Sequence, residues 1–164
     1  MHLVLELPQE TDTQAVGAVL AGIVRPGDIL ALQGPLGAGK STLARSLIQT
    51  IAGQAISVPS PTYTLVQVYD HLTPPVWHFD LYRLNAAEEV WDLGIEEAFA
   101  EGVSLIEWPE RLGATMPKTA LWCKLESLEQ GRQLTFTCEQ ASDDWAERLD
   151  QLNRCFSRIP QRAF

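Results

Sequence analysis

A chain of 164 residues that is 46% hydrophobic can bury one sizeable core and is too short for two full ones. Twelve basic against 21 acidic residues give a formal net charge of −9, a field that repels phosphate backbones and anionic lipid and so disfavours charge-driven nucleic-acid or membrane binding. There is no run of 18 apolar residues and no leader-like N-terminus, and Cys123, Cys138 and Cys155 lack metal-finger spacing; the expectation is one soluble, cytoplasmic domain over residues 1–164 with reduced cysteines.

Residues 3–7 read as a short strand. Thr11 or Thr13 can cap a helix whose apolar positions Ala15, Val16, Val19, Leu20, Ile23 and Val24 keep the helical period, stopped by Arg25-Pro26-Gly27. Residues 29–32 are uninterruptedly apolar, as a central parallel strand covered on both faces requires. A helix over residues 42–52 presents Leu43, Leu47, Ile48 and Ile51 on one side and ends at Gly53, which suits a C′ position.

A proline-stiffened loop from residue 58 continues as a strand to residue 70, and residues 76–82 form the next. Asn85 with Glu88 predicts a capping box for a helix through Trp91, broken at Gly94 and resumed over residues 95–99. Residues 103–107 are another strand, after which Pro109 suits the first position of a short helix. Residues 119–128 and 133–139 predict a hairpin around residues 129–132, and Ser142 is placed to cap a last helix with Trp145, Leu149, Leu152 and Phe156 in one stripe. That stripe is most simply a docking face on the chain's own core, with a partner-binding face as the alternative; an arginine-bearing tail (Arg154, Arg158, Arg162) follows. This order predicts an α/β fold: a mostly parallel central sheet flanked by helices, with antiparallel additions and a C-terminal helix.

The chemistry concentrates in Gly34-Pro35-Leu36-Gly37-Ala38-Gly39-Lys40-Ser41, a full match to G-x-x-x-x-G-K-[ST] lying between an apolar strand and a helix. Glycines let the backbone wrap an oxyanion, so that Gly34, Leu36, Gly37, Ala38, Gly39, Lys40, Ser41 and Thr42 would enclose a polyphosphate at the positive end of the following helix. Lys40 would bridge the outer phosphates and Ser41 would ligate Mg²⁺. Asp80 and Glu107 lie at or near the ends of apolar strands, where such folds place the carboxylates that hold Mg²⁺ or its waters and align the attacking water. Glu107 follows the purer apolar run and better suits the metal side, but the two roles can be exchanged. Thr62, in the Ser60-Pro61-Thr62-Tyr63 loop, carries a hydroxyl able to reach the γ-phosphate or metal. His78 reads by default as a core or supporting histidine, and Tyr82 and Arg83 as mainly structural.

Four blocks, GPLGAGKST at residues 34–42, SPTYT at 60–64, HFDLYRL at 78–84 and IEWP at 106–109, occur in a set order that closely resembles the bacterial TsaE (YjeE) family of P-loop ATPases. The resemblance spans about residues 3–139 and leaves residues 142–164 without a family motif. Pro35 departs from the family's usual Asp; it stands at the loop's entrance, so the cradle is expected to survive. The resemblance implies an ATP- and Mg²⁺-dependent ATPase that serves threonylcarbamoylation of adenosine 37 in ANN-decoding tRNAs. It would act on a TsaD–TsaB transferase, meet tRNA only through that complex and hydrolyse ATP slowly alone. Lys40, Thr62, Asp80 and Glu107 would be the catalytic set. It also implies that Arg132 reaches the nucleotide, that Glu10 and Thr11 stand near the adenine, and that Trp108 faces the active site or a partner. Two rivals fit less well: a small-molecule kinase would need a basic lid where only Arg111, Lys118 and Lys124 occur, and a guanine-dependent switch lacks N-K-x-D.

Overall fold

The computed structural model describes residues 1–140 and 143–157. Its centre is a seven-stranded sheet made of β1 (His2–Leu7), β2 (Ile29–Gln33), β3 (Val66–Tyr69), β4 (Val76–Asp80), β5 (Val103–Glu107), β6 (Leu121–Ser127) and β7 (Arg132–Thr137), in the spatial order β1-β7-β6-β2-β5-β4-β3. The middle pairs β6–β2, β2–β5 and β5–β4 are parallel, whereas β1–β7, β7–β6 and β4–β3 are antiparallel. The expected architecture is present. The four parallel strands alone could not exist without crossovers covering both faces, which explains the near-total burial of β2, β4 and β5.

Helices α1 (Glu10–Ala21), α2 (Lys40–Ala52) and α4 (Asp143–Ser157) cover one face, and α3 (Ile95–Glu101) with two 3₁₀ segments, 87–93 and 109–115, covers the other. Alternation within the strands assigns side chains to these layers. Leu30, Leu32, Val76, Val103 and Leu105 enter the α1–α2–α4 core, while Ile29, Trp77, Phe79 and Ile106 enter the α3 core. By the same period of two, His78, Asp80 and Glu107 face the layer that contains α2.

Trp145, Leu149, Leu152 and Phe156 of α4 are buried in the α1–α2–α4 core, so the amphipathic stripe docks on its own domain. Burying a side chain of that size stabilises by about 1.5–3 kcal/mol each, enough to hold a C-terminal helix in place. Ser142, Arg158 and Arg162 lie outside the described residues.

Several boundaries differ from the expectation. The N-cap of α1 is Gln9, whose N–H donates to Asp12 Oδ2 at 2.8 Å; an acid three residues on can reach back, and neither Thr11 nor Thr13 is needed. That helix stops at Gly22, before Pro26, and the chain carries Ile23 and Val24 into the core outside regular helix. The segment after Asn85 is 3₁₀ rather than α-helical, and the carboxylate meeting the Asn85 N–H is Glu89, not Glu88, because its cap is Ala86. β4 ends at Asp80, not at residue 82: the Leu81 N–H to Glu107 carbonyl bond is its last rung to β5, and the Tyr82 N–H turns back to the Asp80 carboxylate.

Candidate active site

The C-terminal ends of β2, β4 and β5 converge on an open cleft of about 350 Å³, the position where an open parallel sheet receives its ligand and a volume suited to a small molecule. The phosphate loop follows β2 directly and turns into α2 at Gly39, whose φ of 109° and ψ of 13° are strained for any side-chain-bearing residue. No side chain among the described residues caps the first turn of α2, so its N–H groups are available at the cleft for an anion. A Cβ on Gly39 would collide with Arg132 Nη1, so the guanidinium rests directly on the loop. Arg132 is the first residue of β7 rather than a turn residue, which fixes its reach.

Lys40 is 4% exposed, and its ammonium donates to the carbonyls of Gly34 at 2.6 Å and Pro35 at 2.9 Å. It also stands 4.5 Å from the centre of the Trp108 ring. Burial pushes the Lys40 pKa below its ordinary value, while Glu107, Asp80 and Glu110 pull the other way. Pro35 leaves the turn intact, its carbonyl also accepting the Ala38 N–H at 3.2 Å.

Asp80 and Glu107 are partners in the β4–β5 register, which brings two carboxylates side by side with side chains on the α2 face. Both are buried, at 6% and 2% exposure. Ser41 Oγ donates to Glu107 Oε1 at 3.0 Å, and His78 Nε2 lies 2.7 Å from Glu107 Oε2. Asp80 Oδ1 accepts the Tyr82 N–H at 3.1 Å, and its Oδ2 faces the hydroxyls of Ser60 and Thr62 at 3.4 and 3.5 Å. Ser60 and Thr62 are themselves 3.1 Å apart. The two acids therefore sit in different settings, one tied to the phosphate-loop serine and one to the proline-stiffened loop.

Trp108 follows Glu107 in a left-handed conformation with φ of 57°, and Tyr82 packs against it with ring centres 4.9 Å apart. A bulky residue in that region is an outlier of the kind found at ligand sites. The half-buried indole packs against the edge of the α3-side core and also lines the cleft. Leu36 of the cleft wall is 76% exposed; outside the cleft lining, Tyr63 is 82% exposed, with Arg83 stacked on its ring.

Most of the residues singled out from sequence meet at this cleft: Glu10, Leu36, Gly37, Gly39, Lys40, Ser41, Thr42, Thr62, Asp80, Glu107, Trp108 and Arg132 line it. Three do not. Thr11 is exposed and faces Gln9, Ala38 is buried in the α2-side core, and Gly34 takes part through its carbonyl to Lys40. Ser60 and Tyr82 line the cleft without carrying a sequence signal of their own for it, although both fall inside the SPTYT and HFDLYRL blocks.

The donor set fits a hydrated magnesium–polyphosphate. Ser41, Asp80 and Glu107 offer hard oxygen atoms at the same cleft as the phosphate loop. Few protein oxygens completed by water and substrate phosphate is how Mg²⁺ is ordinarily held.

The chain is similar to known proteins over most of its length. The family model "Threonylcarbamoyl adenosine biosynthesis protein TsaE" matches residues 7–134. The tRNA threonylcarbamoyladenosine biosynthesis protein TsaE of Rickettsia conorii is 37% identical over 128 residues, covering 78% of this chain and 73% of that one. Its Bacillus subtilis counterpart is 34% identical, covering 77% and 79%. The crystal structure of Bacillus subtilis YdiB superposes with a TM-score of 0.78 at 27% identity, over 94% of this chain and 95% of the other.

Proposed function

We propose, from the premise that this chain belongs to the TsaE family, that it is a single-domain ATPase whose nucleotide cycle serves threonylcarbamoyladenosine formation in tRNA. The observation that supports this best is the meeting of Lys40, the Ser41–Glu107 pair and Asp80 at one cleft below an uncapped helix N-terminus. Phosphoryl transfer to water asks little covalent chemistry of a protein; it asks for positioned positive charge, oriented water and exclusion of bulk solvent.

The loop and first-turn amides of α2, with Lys40 and Arg132, supply positive charge to the triphosphate. Mg²⁺, when bound, neutralises and templates the phosphate oxygens. Ser41 and Glu107 are the residues that would hold it. Asp80, carrying Thr62 and Ser60 with it, orients the attacking water and takes up its proton. Trp108 and Tyr82 wall the cleft and keep the Lys40 ammonium close to the loop. Glu10, beside Thr42, is the candidate for the base. The acidic surface argues against direct tRNA contact, so the nucleotide cycle acts through a TsaD–TsaB transferase, remodelling or resetting it between turnovers.

The test measures ATP turnover by the purified chain alone and with TsaD and TsaB. Turnover should be slow alone and rise with the pair, and Lys40→Ala and Glu107→Ala should each lower it about 100-fold or more. Full turnover in both variants, or indifference to the pair, contradicts the reading. Unchanged threonylcarbamoyladenosine in tRNA after depletion of the protein would remove the pathway and leave the ATPase.

A further inference from the structure

We infer that His78 is a positioning residue for Glu107, holding that carboxylate in the orientation shared with Ser41 so that it can serve the metal side of the site. The inference rests on the ATPase reading above. His78 lies in the middle of β4, on the face that Val76 and Leu105 use for the α2-side core, and is 1% exposed. An apolar side chain would fill that place at no polar cost. The imidazole instead leaves Nδ1 buried with no hydrogen-bond partner among the described residues, which is unfavourable.

One contact offsets that cost, the 2.7 Å approach of Nε2 to Glu107 Oε2. For Glu107 to serve as a metal-side carboxylate, which only accepts, the tautomer that fits this contact has the hydrogen on Nε2. The reach is diagonal: His78 is in register with Leu105, and Glu107 stands two residues further along β5 on the same face. Glu107 then has each oxygen held by a different element, Oε1 by Ser41 of α2 and Oε2 by His78 of β4. With both oxygens fixed, the plane of the carboxylate is fixed. Without His78, Oε2 loses its hydrogen-bond partner, and rotation toward the cleft draws Oε1 away from Ser41.

The test compares wild type with His78→Leu and His78→Gln, since a glutamine amide can donate from about the same place as Nε2. Mn²⁺ uptake in the presence of a non-hydrolysable ATP analogue is followed by electron paramagnetic resonance, and binding of the same analogue is measured in EDTA. His78→Leu should weaken Mn²⁺ uptake about 10- to 100-fold while leaving metal-free analogue binding within about twofold, and His78→Gln should recover most of the loss. In a Glu107→Gln background, His78→Leu should add little.

Unchanged Mn²⁺ uptake in His78→Leu overturns the proposal, as does equal loss of metal-free analogue binding, which would mark a general packing role. A His78→Gln variant no better than His78→Leu, or an undiminished His78→Leu effect in the Glu107→Gln background, does the same. A wild-type protein that takes up neither analogue nor Mn²⁺ brings down the ATPase reading together with this one, whereas a wild type that binds both isolates the failure to His78.

Discussion

The two ends of β2 both carry buried charge, and they treat it in opposite ways. At its start, Asp28 meets the guanidinium of Arg148 from α4 in a bidentate pair at 2.5 and 3.1 Å, and the same arginine reaches the Ile23 carbonyl, Asp144 and the face of Trp145. At its finish, Lys40, Asp80 and Glu107 are as deeply buried but open onto a cleft, with an ammonium resting on backbone carbonyls and two acids side by side. The first end pairs its charges with each other, 120 residues apart in sequence, and so fastens α4 across the fold. The second keeps like charges adjacent and helix donors open, which costs stability and is the arrangement expected where a ligand supplies the missing partners.

If that contrast is right, breaking the closed end should cost stability and spare chemistry. Arg148→Ala leaves the half-buried Asp28 with only the Arg25 N–H as partner and should lower unfolding free energy by about 3 kcal/mol in urea titrations, with the nucleotide affinity of the folded fraction unchanged. Replacing both groups by apolar ones, Arg148→Met with Asp28→Leu, should recover most of that loss. An Arg148→Ala protein that loses nucleotide affinity while keeping its stability would reverse the assignment of the two ends.

A smaller effect sharpens the comparison along α2, which begins at Gly39 and ends at Gly53, both left-handed. Alanine at either position should cost about 1–3 kcal/mol of strain. Only Gly39→Ala displaces Arg132, since a Cβ at Gly53 meets nothing within 4 Å among the described residues. Calorimetry should therefore show nucleotide affinity falling in Gly39→Ala and holding in Gly53→Ala.

The smallest effect is electrostatic. The folded-state pKa of Lys40 is below the 10.5 of an ordinary lysine, so between the two values the unfolded chain holds more proton and stability rises with pH. The unfavourable contribution is complete below the folded value and absent above 10.5. Denaturation of wild type and Lys40→Met over an alkaline pH series should show wild type gaining on the variant through that window, and a constant difference would mean that burial does not burden Lys40.

Local pattern makes much of this legible from the residues alone. The phosphate loop, the uninterrupted run ending at Leu32 and the strand-terminal acids depend on neighbours in sequence, and the residues they single out mostly line one cleft. What pattern cannot supply is pairing across distance. The insertion of β7 and β6 between β1 and β2, the Arg148–Asp28 clasp and the diagonal from His78 to Glu107 are decided by tertiary packing. The 3₁₀ segment after Asn85 departs from expectation for a different reason: a capping box at Glu88 and a reach from Glu89 differ by one residue, and the backbone at Ala86 selects the second.

The strand order has a further consequence for how the chain comes to be folded. Leu3 sits opposite Phe136 in the β1–β7 register, so β1 has its sheet partner far along the chain. Joining positions so far apart closes a long loop, and the entropy of that closure should make β1 a late addition to the sheet, after β6 and β7 have paired with each other.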